Sequence, residues 1–262
     1  MSKKERIETE MIKAVLFDLG GTLHTNDSPP GRDLWFAKRL IDRLADYGIR
    51  LETSPEELAA RLPVNSEEYK HLSEQTMREL PSVEIWNDFF LKEYAIGRER
   101  LEPIAEELSF LYDYERPLVM RRPHLKETMV TLHGMGLRLG MISNIISRSV
   151  VQHFLEEYDI AQYMDCVITS AATGIRKPSP EIFRVAERQL GLLPEELAYV
   201  GDTISRDVRG TRNAGWHTMI RIHAPQTAHR DIGLENAGFE PDYRITDLAE
   251  IPAIIEKENN GL

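Results

Sequence analysis

Several residues suited to phosphoryl chemistry sit where apolar runs of this chain end. Asp18 closes the run Ile12 to Phe17 and is followed by Leu19-Gly20-Gly21-Thr22-Leu23. Ser143-Asn144 closes Leu137 to Ile142, and Lys177-Pro178 follows Cys166 to Thr169 by way of Ser170-Ala171-Ala172-Thr173-Gly174. Gly201-Asp202 closes Leu197 to Val200, with Asp207 five positions beyond Asp202. Three carboxylates converging at strand ends repel one another unless a cation joins them. Oxygen-only donors favour a hard ion such as Mg²⁺, which keeps several waters and takes few protein ligands. The lysine and the Ser-Asn pair add positive charge and donors for an anion. Metal, lysine and hydroxyl together stabilise a phosphoryl group in transfer. One carboxylate can then attack phosphorus and form an aspartyl-phosphate.

The elements that must position these residues are legible from apolar spacing. Short apolar runs stopped by glycine predict buried, parallel strands. A further run, Trp216 to Ile222, alternates and is expected nearer an edge; Tyr243 to Ile245 precedes a last helix from about Leu248. Helices are predicted between the strands over Pro123 to Gly134, Ser147 to Tyr158 and Pro180 to Leu190. Strands alternating with helices imply βαβ units with right-handed crossovers, and ligands sit at the carboxyl ends of such strands. The predicted fold class is therefore α/β, a Rossmann-like parallel sheet core. From about Asn26 to Pro117 no comparable strand run occurs. Helices are predicted over Arg32 to Tyr47, stopping at Gly48, then from Ser54-Pro55-Glu56-Glu57. There Ser54 can cap, Pro55 fits the first helical position and Glu57 can close a capping box. Others are expected over Ser66 to Leu80, Ile85 to Tyr94 and Glu99 to Tyr112. Residues 1–25 and 118–262 thus read as the α/β core, and 26–117 as an inserted helical domain. Trp35, Trp86, Phe89 and Phe90 fit the core of that insert better than a base-stacking platform.

Composition narrows the classes. Of 262 residues, 42% are hydrophobic and 29% charged, and the formal net charge is −11. So acidic a surface repels phosphate backbones and anionic lipid heads, so neither nucleic acid nor membrane is an expected partner; a small phosphorylated substrate would need a local positive or metal-filled site. The single cysteine, Cys166, precludes an intramolecular disulfide and fits a reducing cytoplasm. It reads as a buried strand residue rather than a catalytic thiol, which needs an electropositive setting. No apolar run approaches the roughly 18 residues of a membrane helix. Met1 to Glu10 lacks the apolar core of a signal peptide and reads as a frayed tail. Monomer and homodimer both remain open. There is no Walker loop, Gly-x-Gly-x-x-Gly, Gly-x-Ser-x-Gly or His-Glu-x-x-His pattern.

Taken together, the segments Asp-x-x-Gly-Thr-Leu, Ser-Asn, Gly-x-x-Lys-Pro and Gly-Asp-x-x-x-x-Asp, in this order between Ala14 and Gly215, resemble the haloacid dehalogenase superfamily. Most of its members are Mg²⁺-dependent phosphatases, and the helical insert after the first motif looks like the C1-type cap of subfamily I. The resemblance implies that Asp18 is nucleophile and Mg²⁺ ligand, with the Gly20 carbonyl as a second ligand. Ser143 and the Asn144 amide would hold phosphoryl oxygens, with Thr22 also on the phosphate side. Lys177 would pair with Asp18 and the phosphate, while Asp202 and Asp207 would bind Mg²⁺. The cap would close to exclude water and select the substrate.

The sequence departs from the family at one informative position. Its phosphatases usually carry a second aspartate two places after the nucleophile, as acid and then base; here that place is Gly20. Such help is typically worth about 10²–10⁴-fold, so its loss favours leaving groups that need no proton. His24 is the nearest titratable substitute, or a loop histidine facing the cap. Two branches of the family lack the second aspartate: the dehalogenases, which have no need of the metal pair, and the phosphonatases, which use a cap lysine. Lys38, Lys70 and Lys92 are the insert lysines available for that role. A catalytically weakened relative that binds a phosphorylated ligand or a protein partner is the remaining alternative. Arg121 and Arg122, where the insert returns to the core, read either as anion contacts or as a solvated hinge pair.

Overall fold

The computed structural model describes residues 11–234 and 238–261; the predicted frayed tail lies outside them. Six strands form one sheet: β1 (Ala14–Phe17), β4 (Arg138–Ser143), β5 (Met164–Thr169), β6 (Leu197–Gly201), β7 (Thr218–Ile222) and β8 (Tyr243–Ile245). Their order is β5-β4-β1-β6-β7-β8 with every pairing parallel. The sequence climbs outward from β1 through β4 to β5, then restarts at β6 on the other side of β1. That reversal places the topological switch point beside β1, where a crevice opens at the strands' carboxyl ends. Asp18 and Asp202 are the residues that follow β1 and β6 there.

The central strands β1 and β6 are buried throughout because both faces are covered. Val15 and Phe17 join one core cluster with Leu125 and Met129 of the helix Leu125–Gly134 and Phe154 of the helix Val150–Glu157. Ala14 and Leu16 join the other with Ile182, Phe183 and Ala186 of Pro180–Leu190. Trp216 to Ile222 is not at the edge: β7 lies between β6 and β8, and β8 takes the outer position. Its polar residues are His217, Thr218 and Arg221, and the Arg221 guanidinium donates to the Asp202 carbonyl and pairs with Asp231. Cys166 is buried in β5, and burial pushes its thiol up to about 11, which leaves it neutral and unreactive.

Between β1 and β4 the chain makes a feature absent from the sequence reading. β2 (His24–Asp27) and β3 (Leu118–Arg121) pair antiparallel as a ribbon through which the chain leaves and re-enters the core. Its strands carry almost no strand signal, β2 because it is polar and β3 because it is only four residues long. Beyond it lie the helices α1 (Arg32–Asp46), α2 (Pro55–Thr76) and α3 (Ala105–Tyr114). Ser54 caps α2, its hydroxyl accepting from the Glu57 amide at 3.1 Å while Glu57 accepts from the Ser54 amide at 3.2 Å. The helix does not break before Ser66; it runs on through Pro63, at the loss of one amide donor, and ends at Met77 in left-handed conformation. The predicted helix Glu99 to Tyr112 is interrupted around Pro103 into Arg98–Leu101 and α3. Trp86 and Phe90 are buried in the insert's core with Phe36, Leu58 and Leu108. Phe89 packs at its margin, whereas Trp35 is 43% exposed with Arg32 stacked on its ring.

The insert is tied into the core rather than hung from the ribbon alone. The Arg176 amide donates to the Met77 carbonyl and the Glu79 amide to the Gly174 carbonyl, both at 3.0 Å. The Glu79 carboxylate, fully buried, pairs with Arg176 and accepts from Tyr69 and from Ser170. Removing one partner of such a pair strands the other charge. Glu79→Gln is therefore expected to lower unfolding free energy by about 3–5 kcal/mol, read as a drop in urea midpoint. A shift under about 1 kcal/mol would mean that water already screens the pair.

Candidate active site

Each residue of the site is set by backbone at a strand end. The Asp18 amide donates to the Val200 carbonyl at 2.9 Å, continuing the β1–β6 ladder. The loop beyond must pass close to Asp202: Gly21 has φ +88°, and a Cβ there would lie 2.2 Å from Asp202 Oδ2, so only glycine fits. Asp207 stands in the helical turn after β6. Its Oδ2 accepts from the Thr203 amide at 2.9 Å and hydroxyl at 2.7 Å, and from the Asp202 amide at 3.2 Å.

Lys177 joins the acids. Its Nζ reaches Asp18 Oδ1 at 2.9 Å and Asp207 Oδ1 at 2.7 Å, and donates to the Tyr199 hydroxyl at 2.8 Å. Tyr199 in turn donates to the Ile142 carbonyl at 2.7 Å. Asn144 braces the lysine: its side-chain oxygen accepts from the Lys177 amide at 2.8 Å and its nitrogen donates to the Lys177 carbonyl at 2.9 Å. The Lys177–Pro178 peptide is cis. Ser143 is buried on the wall of the same cleft, a cavity of about 230 Å³.

One carboxylate oxygen from each of Asp18, Asp202 and Asp207 lies within 4.8 Å of the others. A single ammonium group is bonded to this cluster, and it leaves the cluster short of positive charge. Burial, with Asp207 and Asp18 alongside, pushes Asp202 up to about 7. Burial likewise raises Asp18 against the pull of Lys177. Asp207 goes the other way, because Lys177 and Thr203 outweigh its burial. Asp202 Oδ1 is buried without any hydrogen-bond partner. An orphaned carboxylate oxygen in a charge-deficient, all-oxygen cluster is the setting that a hard divalent cation fits.

The structure brings together Asp18, Gly20, His24, Ser143, Asn144 and Lys177 on the cleft wall, with Asp202 and Asp207 packed beneath Gly21 and Gly201. Thr22 is not on that wall; its hydroxyl is buried and unpartnered. His24 is buried on β2, its Nδ1 2.9 Å from the Tyr158 hydroxyl. Burial and the Arg122 guanidinium push it down to about 3, so the ring is neutral. Arg122 donates to the carbonyls of Gly21 (2.6 Å) and His223 (2.9 Å), holding the first loop, while Arg121 lies over the Tyr158 ring. Neither lines the cleft. Lys70 and Lys92 pair with Glu67 and Glu68, Lys38 is exposed, and none of the three lines it either.

Position 20 explains itself in space. A Cβ on Gly20 would stand 3.3 Å from the Asn26 side-chain nitrogen and 3.9 Å from His24 Nε2. The volume of the usual second acid is thus bordered by two residues spaced by two on one strand, which share a face. Sequence reading took up His24 and missed Asn26, although the period-two spacing was available once β2 was known. It also missed Asp113, Arg206 and Arg230 on the cleft wall. Asp113 comes from α3 and accepts from the amides of Ile146 (3.1 Å) and Ser147 (2.8 Å). Burial pushes its carboxyl up to about 8, against the pull of those amides.

A family model of haloacid dehalogenase-like hydrolases matches residues 12–215. The chain belongs to that family. It is similar to the glyceraldehyde 3-phosphate phosphatase of Methanopyrus kandleri, 27% identical over 94% of this chain and 98% of the relative. It is also similar to the phosphoglycolate phosphatase of Salmonella typhi, 29% identical over 78% of this chain and 79% of the other. Among solved structures, the 2-haloacid dehalogenase from Pseudomonas syringae pv. Tomato DC3000 shares the fold, with a TM-score of 0.65 at 24% identity, covering 94% of this chain and 99% of that one.

Proposed function

We propose that the chain is a Mg²⁺-dependent phosphohydrolase acting on a small phosphorylated metabolite through an aspartyl-phosphate on Asp18. The observation that carries this reading is the lysine bridge from Asp18 to Asp207 beside the orphaned Asp202 oxygen. A pure binder needs neither a nucleophile held by a buried lysine nor a charge-deficient acid cluster. Similarity to phosphatases of glyceraldehyde 3-phosphate and phosphoglycolate supports a short substrate, as does a cavity of about 230 Å³.

In this reading the Asp18 carboxylate attacks phosphorus in line, the bond to the leaving oxygen breaks, and water later cleaves the aspartyl-phosphate. Lys177 keeps Asp18 ionised and oriented and neutralises phosphoryl charge; Ser143 and the Asn144 amide hold phosphoryl oxygens. Mg²⁺, held by Asp18, the Gly20 carbonyl, Asp202 and Asp207, supplies charge neutralisation at the phosphoryl oxygens when bound. His24 is neutral and has no spare proton for the leaving group. In the tautomer whose Nδ1–H donates to Tyr158, its Nε2 lone pair can accept a hydrogen bond from the attacking water and position it. Leaving groups that depart without protonation are then favoured. The helical segment 26–117 serves as the cap over a core of 1–25 and 118–262. No helix among the described residues is long and apolar enough to cross a membrane. We place the enzyme in the cytoplasm, on its single buried thiol.

The test is a phosphate panel with Mg²⁺ and with chelator, comparing acetyl phosphate and p-nitrophenyl phosphate with short alkyl phosphates. Turnover is expected only with Mg²⁺ and fastest for the activated esters. Absence of turnover on every member would favour the one rival that Gly20 supports, a weakened relative that binds a phosphorylated ligand or protein partner.

A further inference from the structure

We propose that Arg230, with Arg206 beside it, forms an anion subsite that selects phosphomonoesters carrying a carboxylate at the end remote from phosphorus. The proposal rests on the phosphohydrolase reading and names the class of substrate for that site.

Arg230 closes the turn Pro225–Asp231 after β7, a segment that folds back over the cleft. The turn is anchored at both ends: Thr227 donates to Asp202 Oδ2, and Asp231 accepts from the Ile204 and Ser205 amides at 2.8 and 3.0 Å. Arg230 is thereby fixed on the cleft wall. The other half-buried arginines of the core have their guanidinium groups engaged. Arg176 pairs with Glu79, Arg221 with Asp231, Arg122 with two carbonyls and Arg206 with Glu74 of α2. Arg230 has no hydrogen bond or ion pair among the described residues, and its Nε is fully buried without a partner. A guanidinium whose Nε is cut off from water and whose outer nitrogens face the cleft unpaired is set to receive an anion. Burial and the neighbouring Arg206 hold its pKa below the ordinary range, against the pull of Asp202, Asp18 and Glu74.

The identity of that anion follows from charge already assigned. Lys177 is committed to Asp18 and Asp207. The phosphoryl group has the ammonium, the Ser143–Asn144 loop and the acid cluster's cation. Arg230 is left for a second negative group on the same molecule, and the small cleft keeps the two groups a few bonds apart. A carboxylate matches the planar fork of a guanidinium bidentately. A neutral aldehyde or hydroxyl tail would leave Arg230 unpaired.

The experiment compares phosphoglycolate with hydroxyethyl phosphate, its uncharged counterpart, on the wild-type chain, Arg230→Gln and Arg230→Lys. The wild-type chain is expected to prefer the acid. Arg230→Gln is expected to lower kcat/KM for the acid about 10²-fold more than for the neutral ester, chiefly through KM. Arg230→Lys, which keeps charge but not the fork, is expected to recover part of that difference. Equal losses on both esters would overturn the subsite, since a residue that only offsets the acid cluster or braces the turn affects both alike. No preference for the acid in the wild-type chain would overturn it too. Failure of the wild-type chain on both esters and on acetyl phosphate would bring down the phosphohydrolase reading along with the subsite.

Discussion

Asp18→Asn is expected to abolish phosphate-ester turnover, by at least about 10⁴-fold, because an amide oxygen does not attack phosphorus. The same substitution removes one of three mutually repelling carboxylates whose pKa values are disturbed by their neighbours. The variant should therefore unfold at a urea concentration equal to or above that of the wild-type chain. Lost activity with kept stability is the signature of a group held in place for chemistry at the expense of stability. Turnover that survives the change would end the covalent mechanism.

The second large effect runs in the opposite direction. Gly20→Asp is expected to raise turnover of unactivated alkyl phosphates by about 10²-fold or more, while acetyl phosphate changes little. Gly20 is not among the residues with positive φ, so its backbone admits a side chain. The tightest contact of the new Cβ, 3.3 Å, is with the end of the Asn26 side chain, which can turn aside. Steady-state kinetics on alkyl and acyl phosphates separate the outcomes. An unchanged ratio between the two would show that another group already delivers the proton.

How far the sequence carried the reading depends on what fixed each element. The central core strands were visible because both faces of the sheet are buried there, which leaves little freedom of composition in Ala14–Phe17 or Leu197–Gly201. The ends of those strands carried Asp18, Ser143 and Asp202 with them, and the Gly-x-x-Lys-Pro segment beyond β5 carried Lys177. What was hidden depended on tertiary contact. In the ribbon His24–Asp27 with Leu118–Arg121 the first strand is polar and the second only four residues long, and the two lie about ninety residues apart in sequence. Helix α2 continues through Pro63 where a local reading set a break. Arg230 and Asp113 reach the cleft from a turn after β7 and from the insert, positions that no local pattern connects with Asp18. The buried Glu79–Arg176 pair is of the same kind, two ordinary charges until the chain folds.

The tie between insert and core also bears on modularity. Phosphate binding and substrate choice would be separable parts if the insert met the core only at the ribbon. Here the loop after Ser143–Asn144 takes its acceptors from α3: Asp113 accepts from the Ile146 and Ser147 amides, and Glu106 from the Ser147 hydroxyl and the Arg148 amide. Exchanging the insert for a relative's would leave those amides unserved and the Arg176 charge stranded. A chain built this way would take up new substrates by changing single residues on the cleft wall, because replacing the whole helical segment would strip the loop after Asn144 of its acceptors.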